Sequence, residues 1–192
     1  MRRIRRSGAW LSAARTLAPS SSTATFQTRV AVPGVQAGDE KVEGYAEYVV
    51  APASFVYPLP QALSDDQVAP LLCAGAIGYR SLRLTGLQNG QRLGLTGFGA
   101  SAHLVLMMVK HRFPNCEIYV FARSAKEREF ARELGAVWAG ETADEPPQKL
   151  NCIIDTTPAW KPVVEALKML TPGGRLVINA IRKEEFDKDD LL

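Results

Sequence analysis

Histidine and cysteine are scarce in this chain of 192 residues, which has two of the first and three of the second. Cys73, Cys116 and Cys152 stand far apart and form no Cys-x-x-Cys pair. That argues against a disulfide framework and a self-contained structural zinc site. It points to a reducing compartment, read here as cytoplasmic. No apolar run approaches the roughly 18 residues of a membrane span. Acid is absent from residues 1 to 38, which carry six arginines (Arg2, Arg3, Arg5, Arg6, Arg15, Arg29). The net charge of +3 therefore belongs to that segment, because the remainder holds 17 bases and 20 acids. A mildly acidic body carries no electrostatic footprint for nucleic acid. With 46% hydrophobic and 22% charged residues, 15 glycines and 12 prolines, the composition is that of a globular chain, not a low-complexity one.

The start, MRRIRRSGAWLSAARTLAP followed by SSSTAT, has no hydrophobic period over its polar part. It reads as a disordered basic tail over residues 1–41. An Arg-rich, Ser-rich, acid-poor start is also the composition of an organellar transit peptide, and that alternative stays open. Order begins near Gly44. GYAEYVV (44–50) and SFVYPLP (54–60) read as strands, and SDDQ (64–67) starts a helix with Ser64 as cap and two acids in its first turn. That helix is expected to run to about Thr85, with Gly75 and Gly78 marking a packing contact or a bend.

From Arg92 strands and helices alternate. The expected strands are 92–98, 117–122, 136–140, 151–157 and 175–181. The expected helices are 100–113, 124–134 and 159–170, the last with Pro162 in its first turn. TPGG (171–174) reads as a turn, and the closing RKEEFDKDDLL as charged and exposed. Strands and helices at this spacing give an α/β fold, a doubly wound parallel sheet with helices on both faces. Residues 67–192 are thus expected to form a Rossmann-type domain.

The sharpest chemical signal is Thr96-Gly97-Phe98-Gly99-Ala100-Ser101-Ala102. Gly97-x-Gly99-x-x-Ala102 fits a dinucleotide fingerprint, placed between an apolar strand and an apolar helix. Gly97 permits the tight turn, Gly99 lets backbone approach a pyrophosphate, and Ala102 lets the helix pack on the strand. Free N–H groups at the helix start then face the anion. The fingerprint leads one to expect an acid on the ribose about 20 residues further on. This chain has Ala122 there, followed by Arg123 and Ser124. A base and a hydroxyl suit a 2′-phosphate, so NADP is favoured over NAD. Thr156, Thr157 and the stretch Asn179, Ala180, Ile181 fall at the ends of the fourth and fifth strands, where such a sheet binds its ligand.

Taken together, GYAEY (44–48), PLP (58–60), APLLCAGAIGY (69–79), GFGASAH (97–103), RELGA (132–136), DTTP (155–158) and PGGRLV (172–177) resemble the zinc-dependent alcohol dehydrogenases of the medium-chain dehydrogenase/reductase superfamily. The resemblance covers roughly residues 42 to 190. It implies a β-rich catalytic domain, of which 42–66 would be a remnant, joined to the Rossmann domain. It also implies hydride transfer between a small alcohol or aldehyde and NADP(H). Cys73 of the LLCAG segment would be one ligand of a catalytic zinc. The family's other ligands include the His of a Gly-His-Glu motif. This chain has no such motif, and its histidines, His103 and His111, lie in the first Rossmann helix. Zinc is therefore not expected to be held by this chain alone. The family's sixth strand, which pairs across a homodimer, is not readable, so 175–181 is expected as an uncovered edge. The alternatives kept open are a non-catalytic NADP(H)-binding module and a non-functional remnant.

Overall fold

The computed structural model describes residues 23–27, 30–31, 48–52, 57–59, 61–180 and 182–185. The chain divides into two compact units, Met1–Leu72 and Cys73–Leu192. In the first, β1 (Thr23–Gln27) pairs antiparallel with β3 (Tyr48–Pro52), and β2 (Val30–Ala31) with β4 (Tyr57–Pro58). Residues 23–27 and 30–31 thus form extended, paired backbone where a tail is expected from the sequence. Thr23-Ala-Thr-Phe-Gln27 has the β-branched and aromatic content of a strand. Helix α1 (Asp65–Pro70) closes this unit's described part. The Ser64 N–H donates to Gln67 Oε1 at 3.1 Å, the backward arm of a capping box.

A five-residue π-helical segment, Leu71–Gly75, follows, and then α2 (Ala76–Thr85). The expected helix is therefore present, with its bend drawn out as a π-helical turn ending at Gly75. Gly78 marks a packing contact. A Cβ there would lie 2.8 Å from Val105 Cγ2 of the next helix.

The second unit is built on a five-stranded parallel sheet of order β7-β6-β5-β8-β9. The strands are β5 (Arg92–Thr96), β6 (Glu117–Phe121), β7 (Trp138–Gly140), β8 (Leu150–Asp155) and β9 (Leu170–Ile178). Helices α3 (Ala100–Arg112), α4 (Ala125–Glu133) and α5 (Lys161–Met169) make the crossovers. The order reverses between β5 and β8, which creates the crevice of a doubly wound sheet at their carboxyl ends.

The central strands are buried on both faces, so they read as near-continuous apolar runs. Leu93, Leu95, Ile118, Val120 and Ile154 are buried with Val105, Leu106 and Val109 of α3 and Ala131 of α4 in one cluster. Tyr119, Phe121, Leu150 and Ile153 form the other cluster, with Ala166 and Met169 of α5. Each fully buried Leu or Ile contributes about 1.5–3 kcal/mol. The buried positions of α3 (Ala102, Val105, Leu106, Val109) fall at the three- and four-residue spacing of a single stripe. Phe113 ends that helix in a non-helical conformation, as the residue before Pro114 requires.

Two boundaries differ from the sequence reading. TPGG does not stand outside β9 as a separate turn. It lies within the strand as an irregularity, where Leu150 pairs with Leu170 but Cys152 pairs with Arg175. The strand then ends at Ile178, so Asn179 and Ala180 lie just beyond it.

One residue of the closing charged run departs from expectation, whereas Arg182, Glu184 and Glu185 are exposed as expected and residues 186–192 lie outside the described residues. Lys183 is largely buried, its side chain only 11% exposed, and it meets the fully buried carboxylate of Asp155. The Trp160 Nε1–H donates to the Glu184 carbonyl at 3.0 Å, and the Glu184 N–H donates to the Pro158 carbonyl at 2.9 Å. Lys183 and Glu184 are therefore tied to the β8–α5 loop.

Candidate functional site

The crevice is assembled from the loops that leave β5, β6, β8 and β9. Gly97 leaves β5 at a φ of +77°, a conformation natural to glycine. Its N–H donates to the Phe121 carbonyl of β6 at 2.8 Å. A Cβ on Gly97 would lie 2.9 Å from Thr156 Oγ1 and 3.0 Å from Thr157 Cγ2. The turn is thus pressed against the end of β8. Two residues on, Gly99 opens α3, and nothing lies within 4 Å of where its Cβ would be. This is the open space that a phosphate needs beside the unpaired N–H groups of a helix start. Ser101 is partly exposed there, and Ala102 is fully buried in the contact of helix with sheet.

Several fingerprint side chains turn inward. Phe98 is buried and packs edge-on against Phe130 of α4, with ring centres 5.9 Å apart. His103 Nδ1 lies 3.1 Å from the Gly99 carbonyl oxygen, a contact in which the ring nitrogen must donate. Thr96 is buried, and its hydroxyl donates to Asp155 Oδ1 at 2.6 Å. Thr157 Oγ1 reaches the same oxygen at 2.7 Å, and Thr156 Oγ1 donates to the Thr96 carbonyl at 2.9 Å. Asp155 itself attracts no attention in the sequence beyond its place in DTTP. In the structure it joins β5 to the loop after β8.

On the β6 side, Arg123 and Ser124 are both exposed. Ser124 is the N-cap of α4, but its side chain makes no capping hydrogen bond. Arg128 is more than a surface charge. Its Nη1 donates to the Ala122 and Arg123 carbonyls, both at 2.8 Å, and its Nη2 lies 3.4 Å from Glu141. It braces the loop that presents Arg123. Only the fold could reveal this, because its partners are backbone oxygens.

On the β9 side, the Asn179 N–H donates to the Asp155 carbonyl at 2.7 Å. Its side-chain nitrogen Nδ2 is buried and has no hydrogen-bond partner. A buried donor left unpaired is costly unless something supplies an acceptor. Ala180 is partly buried beside it, and Ile181 lies outside the described residues. The room at Gly99 and the unmet donor of Asn179 both fit a dinucleotide laid across the crevice.

A catalytic zinc does not fit the same test. Cys73 is exposed in the π-helical turn. Among the described residues no three His, Cys, Asp or Glu side chains gather as a metal site, whereas a catalytic zinc takes three protein ligands. Cys73 would supply one of the three.

The thiols make a contrast that can be measured. Cys116 and Cys152 are buried, and Cys152 Sγ donates to the Thr85 carbonyl at 3.4 Å. Burial pushes the Cys152 thiol above its ordinary range, and burial does the same to the Tyr119 phenol, assisted by Glu117. A thiol-reactive dye is expected to modify Cys73 rapidly in the native chain, and Cys116 and Cys152 only after denaturation. Both raised groups keep their protons longer when folded. Their contribution to stability is therefore complete at neutral pH and declines as alkali titrates them in the folded state. The denaturation midpoint, followed by circular dichroism, should fall as the pH rises.

No protein-family model matches the chain. Individual proteins do. It is 46% identical over 138 residues to the "Probable alcohol dehydrogenase AdhA" of Mycobacterium tuberculosis, covering 72% of this chain and 39% of that protein. It is 37% identical over 145 residues to a "Probable cinnamyl alcohol dehydrogenase" of Populus deltoides, covering 72% of this chain and 40% of the relative. Over 72% of its length the chain is thus similar to alcohol dehydrogenases. The solved structure of CAD from Helicobacter pylori, complexed with NADP(H), matches with a TM-score of 0.65. The two are 25% identical, over 77% of this chain and 43% of that one. Acetophenone reductase from Geotrichum candidum, in complex with NAD, shares the fold at 19% identity, with a TM-score of 0.67 over 81% of this chain and 46% of the other. The chain spans about two-fifths of its curated relatives' length. Among the described residues, no helix is long and apolar enough to cross a membrane.

Proposed function

We propose that the chain binds NADP(H) across the β5–β8 crevice and provides the nucleotide-binding half of an alcohol dehydrogenase acting on a small alcohol or aldehyde. The observation that carries this reading is the Gly97–Ala102 turn at the point where the strand order reverses, with open space beside Gly99. The N–H groups of Gly99, Ala100 and Ser101 would face the pyrophosphate. Arg123 and Ser124 would take the 2′-phosphate, with Arg128 bracing their loop. Thr156, Thr157, Asn179, Ala180 and Ile181 would border the nicotinamide half, and Asn179 Nδ2 would find its acceptor there. When bound, the nucleotide would bring hydride-transfer chemistry to the crevice, and the residues of this chain would hold and orient it. Cys73 alone does not make a catalytic zinc site, so binding without turnover is expected of the isolated chain. That lone donor also favours a non-catalytic module as the second reading.

Paired titrations with NADPH and NADH, following nicotinamide fluorescence, test the proposal. NADPH should bind the tighter of the two. Arg123→Ala should weaken NADPH by about tenfold, the scale of a lost charge-assisted contact, and leave NADH nearly unchanged. A preference for NADH would overturn the roles of Arg123 and Ser124. Binding of neither nucleotide would leave a remnant without function.

A further inference from the structure

Resting on the reading of the crevice as an NADP(H) site, we infer that Lys183 and Asp155 form a clasp that positions the nicotinamide end of that site. The inference starts from the donors and acceptors. Asp155 is fully buried. Its Oδ1 accepts from Thr96 Oγ1 at 2.6 Å, from Thr157 Oγ1 at 2.7 Å and from the Thr157 N–H at 3.3 Å. Its Oδ2 accepts from Lys183 Nζ at 2.5 Å. Lys183 Nζ also donates to the Thr157 and Ala159 carbonyls, both at 2.9 Å. An ammonium has three donors, and all three of these are used. Lys183 therefore has no hydrogen to offer a ligand, and its role is to hold other groups in place.

What it holds is specific. Thr96 directly precedes Gly97, whose turn rests on Thr156 and Thr157. Asn179 is tied through its N–H to the Asp155 backbone, four residues before Lys183 itself. The ammonium also lies 5.5 Å from the centre of the Trp160 ring, over its face. One buried ion pair thus ties together the pyrophosphate turn, the β8 loop and the segment after β9. Arg123 and Ser124 follow β6, on the other side of β5, and the clasp makes no contact with them.

This separation supplies the test. The full chain is titrated with NADPH and with adenosine 2′-monophosphate, which carries the 2′-phosphate-bearing adenosine but lacks both the pyrophosphate and the nicotinamide. Lys183→Met should weaken NADPH by roughly tenfold, within the range of coupled neighbouring residues, and leave the binding of adenosine 2′-monophosphate unchanged. Lys183→Arg should recover part of the loss. Should the single variant fail to fold because it strands a buried carboxylate, the double variant Asp155→Asn/Lys183→Met removes both charges and keeps the acceptor for Thr96 and Thr157. It should fold and show the same selective loss. Equal weakening of both ligands in a folded variant, or no weakening of either, overturns the clasp. If the unaltered chain binds neither ligand, the reading of the crevice as an NADP(H) site fails, and the clasp with it.

Discussion

Asp155→Ala is expected to cost about 3–5 kcal/mol of folding stability, the range found when one partner of a buried ion pair is removed. The loss has two sources. Lys183 would keep its charge in a site where only 11% of its side chain is exposed. The hydroxyls of Thr96 and Thr157 would lose their shared acceptor. Asp155→Asn should cost less, because an amide oxygen still accepts from both threonines. Urea denaturation followed by circular dichroism measures the three midpoints. A cost for Asp155→Ala no larger than that of a surface substitution would mean that the network contributes little to folding.

Gly97→Val should abolish measurable NADPH binding while leaving most of the sheet intact. At φ +77° a β-branched residue is strained by about 1–2 kcal/mol. Its Cβ would also press on Thr156 and Thr157, and such overpacking costs about 1–3 kcal/mol more. Relief requires the turn to move, and the turn is what would meet the pyrophosphate. Gly90→Val is the matched control. Gly90 also has a positive φ, +86°, but nothing lies within 4 Å of its Cβ position. It should lose some stability and keep its affinity for NADPH. Fluorescence titration with melting curves on both variants separates strain from site damage.

The sheet was legible because its strands are short apolar runs between turn residues, a pattern that depends on sequence neighbours alone. Each of the five expected strands is present, with ends shifted by a few residues. The fingerprint turn was legible for the same reason. Long-range polar pairing was not. Asp155 and Lys183 are 28 residues apart, and Thr96 and Asp155 are 59 apart. Hydropathy sees Lys183 only as one charge in a charged run, which averages to solvent exposure. Arg128 escaped for a related reason, since its partners are carbonyls that every residue carries. The strand at Thr23–Gln27 was hidden by a serine-rich stretch just before it, while the strand signal of Thr-Ala-Thr-Phe is only four residues long.

The placement of Lys183 also bears on how the protein is made. A ribosome delivers β5, α3 and β6 as one local unit, and their contacts can form early. The crevice cannot form until β8 arrives to pair with β5, and Asp155 then waits as a buried charge without its cation until residue 183 has emerged. Non-local contacts of this kind are slow to close. Nascent chains halted before and after Lys183 should differ by a few residues in length and by about tenfold in affinity for NADPH.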